Sequence, residues 1–262
     1  MSVTSDNGYK PNGGLRGGAR AYRHVIFDAD DTLLRYRDDE RAAFRRLFLS
    51  LGVNADEDLL SCCNAVSEKI WTETGLYDVH SPAIQKRYHH LYKEHIERVF
   101  EEIFRYCKER GIVFSKRIST ENARDSFLRE LETGGNYVDG AKETLLYLKN
   151  RGYILSVATN GLTAIQEGRT KELQNLFVHL FVSEAFGSIK PSEAFFAKFL
   201  SALHAKKEEC LFVGDSLSSD ICGAKNAGIE CCFFNPQKKS VPENVPAPDF
   251  TIEKLTDLMR LL

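Results

Sequence analysis

No apolar run in this chain approaches the roughly 18 residues that a membrane span needs. An excess of one charge is missing too. Lysine and arginine number 35 against 37 acids, a formal net charge of −2. No basic field therefore points to a nucleic-acid polymer. The CxxC spacing of a zinc site is absent, although there are seven cysteines. Cys62-Cys63 and Cys231-Cys232 are adjacent pairs, and Cys107, Cys210 and Cys222 are scattered. Most lie in apolar runs and read as small core residues. Residues 1–20 hold five glycines among polar residues and contain no apolar h-region. Such a segment buries too little surface to offset its ordering entropy, so a flexible extension is expected rather than a secretory signal. A contact arm built on Lys10, Arg16, Arg20 and Arg23 is the lesser reading of it. Free thiols without a leader indicate a reducing, cytoplasmic compartment.

What is present is globular. Of 262 residues, 43% are hydrophobic and 27% charged, enough for one large domain or a core with an insertion. The organising stretch is His24-Val25-Ile26-Phe27-Asp28-Ala29-Asp30-Asp31-Thr32-Leu33-Leu34. A short apolar run reads as a buried strand, and it ends in three acids and a threonine. Buried carboxylates are costly unless paired or metal-bound, so this strand mouth reads as a site rather than a solvated turn.

The period then turns helical. Phe44, Leu47, Phe48 and Leu51 repeat at three and four, with Gly52 as a stop. A second helix is expected from Asp56, its N-cap, to about Thr74. A third opens with Ser81 and Pro82 and carries a long apolar stripe to Gly111. A fourth covers about Thr120 to Leu131. Residues 37–135 thus read as a helical bundle inserted into residues 21–36 and 136–262. From Asp139 helices and strands alternate. Helices are expected over 139–150, from 161 to about 176, over 192–204 and over 218–227. Strands are expected over 153–158, 179–182, 210–213, 230–234 and 250–252. Alternation implies a parallel sheet with right-handed crossovers, an α/β, Rossmann-like core.

In such a sheet ligands bind beyond the carboxyl ends of the strands. The unusual polar residues all follow strands: Asp28 to Thr32, Thr159 and Asn160, Lys190, and Asp215. Three acids and a lysine suit a phosphate dianion with Mg²⁺, which takes one or two carboxylates and keeps several waters. A carboxylate can also act as a nucleophile and form an aspartyl-phosphate.

These motifs, Asp28-Ala29-Asp30-Asp31-Thr32-Leu33, Thr159-Asn160-Gly161, Lys190-Pro191 and Gly214-Asp215-Ser216-Leu217-Ser218-Ser219-Asp220, resemble in order the four motifs of the haloacid dehalogenase superfamily of phosphohydrolases. The resemblance covers nearly all of the chain from Tyr22, and the insertion falls where that family carries its helical cap. It implies Asp28 as nucleophile and Asp30 as acid, then base. It implies Thr159, the Asn160 backbone and Lys190 on phosphate, and Asp28, the Asp30 carbonyl and Asp215 on Mg²⁺. Asp220 would support Lys190 or the metal waters; a plain helix N-terminal acid is the equal alternative. Asp31 departs from the glycine common in the family. Thr159-Asn160-Gly161-Leu162-Thr163, Phe181-Val182-Ser183-Glu184 and Phe234-Asn235-Pro236 are similar to the YjjG-type branch, whose members are pyrimidine 5′-nucleotidases.

The implied function is a Mg²⁺-dependent phosphatase for small phosphomonoesters, nucleoside 5′-monophosphates first. A sugar phosphatase or a phosphomutase is the alternative within the same chemistry. A phospho-acceptor signalling domain is the alternative outside it, and it would need neither Asp30 nor a cap. A metal-free dehalogenase fits the acids and lysine less well. The partner is a small phosphorylated molecule, with neither nucleic-acid polymer nor membrane, and the chain is expected as a monomer or homodimer. His89, His90 and His95 have no i, i+4 partner histidine and read as packing or surface residues. Trp71, Tyr77, Tyr88 and Tyr92 read as bundle packing before base stacking. Asp38, Asp39 and Glu40 read as acids favouring a helix N-terminus.

Overall fold

The computed structural model describes residues 22–262; the expectation for residues 1–20 lies outside the described residues. Six parallel strands form one sheet in the order β3-β2-β1-β4-β5-β6. They are β1 (His24–Phe27), β2 (Ile154–Thr159), β3 (His179–Val182), β4 (Cys210–Gly214), β5 (Glu230–Phe234) and β6 (Phe250–Ile252). The chain begins in the middle and winds outward both ways, so the switch point lies at β1. Phe27 is level with Val157 of β2 and Val213 of β4, which brings Asp28 to the edge where those strands also end.

Alternation along β1 splits the core. Val25 and Phe27 face one apolar cluster with Leu145, Leu148 and Leu258, and Ile26 faces the other with Phe195, Phe196, Phe199 and Phe212. Successive strand residues point to opposite faces, so a parallel strand covered by helices on both sides is apolar throughout. Cys63, Cys107, Cys210, Cys231 and Cys232 are buried free thiols, in keeping with their apolar contexts.

Four helices leave the sheet after β1: α1 (Tyr36–Ser50), α2 (Glu57–Glu73), α3 (Pro82–Glu109) and α4 (Thr120–Glu132). Asp56 caps α2 through the Leu59 N–H at 2.8 Å, and Ser119 caps α4. Pro82 opens α3, though Ser81 makes no side-chain cap. Phe44, Phe48, Phe100 and Phe127 build the bundle's interior. The two connections to the sheet run side by side: Leu34 pairs with Tyr137, and the Arg35 N–H donates to the Asn136 carbonyl at 2.7 Å.

The remaining helices are α5 (Ala141–Asn150), α6 (Thr163–Arg169), α7 (Ser183–Phe186), α8 (Glu193–Leu203), α9 (Cys222–Asn226) and α10 (Leu258–Leu261). The short helices α7 and α10 are not expected from the sequence, and two of the expected helices differ in form. The helix after β2 stops at Arg169, not near Leu176, as the chain tightens into a 3₁₀ turn at Lys171–Leu173 with the Leu173 N–H on the Thr170 carbonyl at 2.8 Å. The helix expected from Ser218 opens instead as a π-helical turn, Leu217–Ile221, with the Ile221 N–H on the Ser216 carbonyl five residues back. The wider turn puts Asp220 inside, at 0% exposure.

Candidate active site

Lys190 is the hub of the strand-end cluster. It is 1% exposed, and its ammonium lies 2.5 Å from Asp28 Oδ1 and 2.7 Å from Asp220 Oδ1. It does not follow β3 directly; the single turn of α7 intervenes. What aims it is Asn160. The Lys190 N–H donates to Asn160 Oδ1 at 2.8 Å, and Asn160 Nδ2 donates back to the Lys190 carbonyl at 3.0 Å. The Asn160 side chain is thereby committed to Lys190. Burial works against the ammonium, but Asp220 and Asp28 prevail and hold it charged.

Asp220 has both oxygens engaged, one by Lys190 and the other by the Ser216 N–H at 3.0 Å. Its contacts serve both readings, one oxygen on Lys190 and the other on the main-chain N–H at the start of its own helical turn. Asp28 is 6% exposed, and its N–H donates to the Val213 carbonyl at 2.8 Å. Its Oδ2 makes no protein hydrogen bond among the described residues. Burial raises the Asp28 carboxyl well above the usual range, offset only in part by Lys190. Asp215 is pushed up to about 7, chiefly by burial and then by Asp220 and Asp31. Its Oδ1 accepts from the Thr32 hydroxyl at 3.2 Å.

Carboxylate oxygens of Asp28, Asp215 and Asp220 lie within 4.8 Å of one another. One ammonium faces three carboxylates, and the two that burial raises carry the uncommitted oxygens. An all-oxygen, net-negative, buried set fits a hard divalent cation, which would reverse the direction of both shifts.

Asp31 stands at φ 56, in the left-handed region that favours glycine. Asp tolerates it, and here Oδ1 also accepts from the Tyr36 N–H at 3.2 Å. Thr159 is buried at the end of β2, with its hydroxyl 3.3 Å from the Asn160 carbonyl.

Residues 22–228 match the haloacid dehalogenase-like hydrolase family. The chain belongs to it. This hydrolase is 28% identical over 218 residues to the pyrimidine 5′-nucleotidase PynA of Streptococcus pneumoniae, covering 82% of this chain and 84% of that one. It is 26% identical over 241 residues to the pyrimidine 5′-nucleotidase YjjG of Escherichia coli, covering 91% and 96%. The magnesium-bound crystal structure of YfnB from Bacillus subtilis, named as a HAD-hydrolase, superposes with a TM-score of 0.75 at 26% identity, covering 93% of this chain and 99% of that one.

Above the cluster a cleft of about 520 Å³ separates the sheet edge of the hydrolase from its helical bundle. Trp71, Tyr77, Tyr88 and Tyr92 line it, so the packing read first for them and a face towards the cleft go together. They do pack, since Trp71 meets Tyr88, Tyr92 and His95 edge-on at 6.5, 6.4 and 5.5 Å, but the assembled face borders the cleft. His95 also lines the cleft and is held neutral, its pKa lowered to about 4 mainly by burial. His89 bonds across to Ser183 at 2.8 Å, and His90 is a surface partner of Glu94.

Of the three acids read as helix-terminal, only Asp38 is exposed. Asp39 is fully buried and paired with Arg169. Glu40 lines the cleft, its oxygens accepting from Ser67 at 2.7 Å and Asn64 at 2.8 Å. Burial raises its carboxyl. The sequence reading also passed over Arg169 and Gln166. Nη1 of Arg169 donates to Asp30 Oδ1, and Gln166 Nε2 donates to Asp30 Oδ2 at 2.8 Å. The one signal for them was their spacing, i and i+3 on the helix that follows the second motif.

Proposed function

We propose that this chain is a Mg²⁺-dependent phosphomonoester hydrolase that works through an aspartyl-phosphate, with pyrimidine nucleoside 5′-monophosphates as its substrates. The observation that carries this reading is Lys190 bridging Asp28 and Asp220, beside Asp215, on the floor of a cleft with an aromatic wall.

Asp28 Oδ2 attacks phosphorus as the ester oxygen leaves in line, and Asp30 gives that oxygen a proton. Asp30 then takes a proton from water, whose oxygen attacks the phosphorus of the aspartyl-phosphate. Inorganic phosphate departs and Asp28 is restored. Lys190, the Thr159 hydroxyl and the Asn160 main-chain N–H hold the phosphoryl oxygens. Positioning and charge neutralisation dominate phosphoryl transfer, so a fixed, charged Lys190 suits the task. Mg²⁺ would be held by Asp28, Asp215 and the Asp30 carbonyl, and when bound it supplies further neutralisation of the phosphate.

The nucleotide reading draws support from the cleft wall. Trp71, Tyr88 and Tyr92 offer flat apolar surface to a base, while Glu40, Asn64 and Ser67 offer hydrogen bonds to its edge. It also draws on PynA and YjjG, both named as pyrimidine 5′-nucleotidases. The buried free thiols suit a cytoplasmic enzyme.

The test is phosphate release from UMP, dUMP, dTMP, AMP, GMP, several sugar phosphates and p-nitrophenyl phosphate, with Mg²⁺ and with EDTA. Mg²⁺-dependent release favouring the pyrimidine nucleotides is expected. Preference for a sugar phosphate would keep the chemistry and overturn the substrate. No release from any ester would overturn both.

A further inference from the structure

Arg169 is among the largest fully buried side chains of the described residues, at 0% exposure. Such burial of a guanidinium persists only where carboxylates meet it. Two do, and they belong to different parts of the molecule. Nη1 donates to Oδ1 of Asp30, in the catalytic loop after β1. Nε donates to Oδ2 of Asp39, on α1 of the bundle, at 2.8 Å. Nη2 also lies 2.8 Å from that oxygen, as an ion-pair contact without hydrogen-bond geometry.

Asp39 in turn grips the joint between bundle and sheet. Its Oδ1 accepts from the main-chain N–H groups of Gly135 and Asn136, both at 2.9 Å, and from Asn136 Nδ2 at 2.8 Å. These residues form the returning connection, which is itself paired with the outgoing one at Leu34 and Arg35. Contact is close enough to demand glycine. A Cβ on Gly134 would sit 2.7 Å from Asp39 Cγ, and one on Gly168, beside Arg169, would sit 2.4 Å from the Glu132 carbonyl oxygen. Leu162 and Ile165 of the same segment belong to the bundle's apolar cluster.

We propose that Arg169 is a positioning residue that orients Asp30 for proton transfer and ties that orientation to the cap–core joint through Asp39. Arg169 donates to Oδ1 and Gln166, three residues earlier on the same helix, donates to Oδ2, so α6 holds the Asp30 carboxyl group by both oxygens. Rotation of the bundle about its two connections moves Asp39, and with it the anchor that sets the Asp30 carboxylate. This inference rests on the phosphatase reading, with Asp30 as acid and base.

The experiment measures single-turnover phosphorylation with Mg²⁺ for two esters: the best alkyl phosphate of the panel, whose leaving oxygen needs a proton, and p-nitrophenyl phosphate, whose leaving group does not. Arg169→Met is expected to slow the alkyl ester by about tenfold or more while the nitrophenyl ester stays within about threefold. In an Asp30→Asn background the same substitution is expected to add nothing. Asp39→Asn loosens the anchor without touching Asp30, and it is expected to give the same ester-selective loss. Equal slowing of both esters, or losses that multiply with Asp30→Asn, would overturn the proposal and leave Arg169 a strut. If Arg169→Met does not fold, Asp39→Asn decides alone: an ester-selective loss supports the coupling, and its absence overturns it. A wild-type enzyme inert towards every ester would instead remove the phosphatase reading, a failure distinct from the others.

Discussion

Lys190 lies 2.7 Å from Asp220, and neither side chain is exposed by more than 2%. The pair explains how a lysine is kept charged on the floor of a site with few other cations. Removing one partner of a buried pair leaves the other unpaired, which costs about 3–5 kcal/mol. Asp220→Asn keeps the shape and loses the charge. A charge-assisted hydrogen bond contributes about 1.5–3 kcal/mol, so kcat is expected to fall about 10- to 150-fold, with a lowered melting temperature. Lys190→Met is expected to lose about 10²- to 10³-fold in kcat, as for loss of one oxyanion donor. Steady-state kinetics beside thermal melts checks both.

Asp28 and Asp30 are assigned different tasks and should fail differently. Asp28→Asn is expected to abolish turnover, since an amide is no nucleophile here. Asp30→Asn is expected to lose about 10²- to 10⁴-fold, the usual worth of general acid–base catalysis. Acid-quench trapping of the phosphoenzyme separates them: Asp28→Asn should trap none. A slow Asp30→Asn enzyme should accumulate it from p-nitrophenyl phosphate, because hydrolysis of the intermediate still needs the base.

Without a cation, Asp215 binds its proton more tightly folded than unfolded, with a folded pKa of about 7 against the usual 3.8. Between those values the folded state holds more protons, so stability falls as pH rises. Thermal melts in EDTA are expected to show decreasing stability from about pH 5 to pH 8, and Asp215→Asn is expected to flatten that slope. Mg²⁺ should raise the melting temperature most at the upper end, where the carboxylates are free to bind it. At 100 times its dissociation constant the gain is about 2.7 kcal/mol. An unchanged melt with Mg²⁺ at pH 8 would count against the metal site.

The cleft wall should govern substrate choice rather than chemistry. Trp71→Ala is expected to raise KM for UMP about 5- to 150-fold, the equivalent of about 1–3 kcal/mol of base stacking. The rate with p-nitrophenyl phosphate should change far less. Glu40→Gln preserves the packing against Asn64 and Ser67 while changing a buried acceptor, and it is expected to shift the preference among bases. Competition assays among UMP, dTMP and AMP read that shift.

Much of the site was legible before folding was considered. Asp28, Thr159, Asn160 and Asp215 each sit at or just after a strand end, and the alternation of strands and helices already implied that the strands run parallel. Parallel strands all present the same end to one edge, so residues nearly two hundred positions apart had to converge there. Lys190 fits that logic only loosely, because a helical turn separates it from β3, yet its motif pointed to the same edge. The family was legible too, through the four motifs taken together in order rather than through any one of them.

The tertiary structure decided what depends on how the bundle sits on the sheet. Trp71, Tyr88 and Tyr92 have a spacing that serves either a buried seam or a cleft wall, and only the rotation of α2 and α3 over the strand ends chooses. Asp39 looks like an acid of a first helical turn until the returning connection brings Gly135 and Asn136 onto it. Arg169 looks like a surface cation until α6 is wedged between the catalytic loop and α1. Asp220 became a partner of Lys190 because its turn widens to a π-helical one. Periodicity along the chain determined which residues face inward and which edge of the sheet they reach. Contacts between elements far apart in sequence determined which carboxylate meets which cation, because a pairing energy that rests on a few tenths of an ångström is set by packing and leaves no period in the chain.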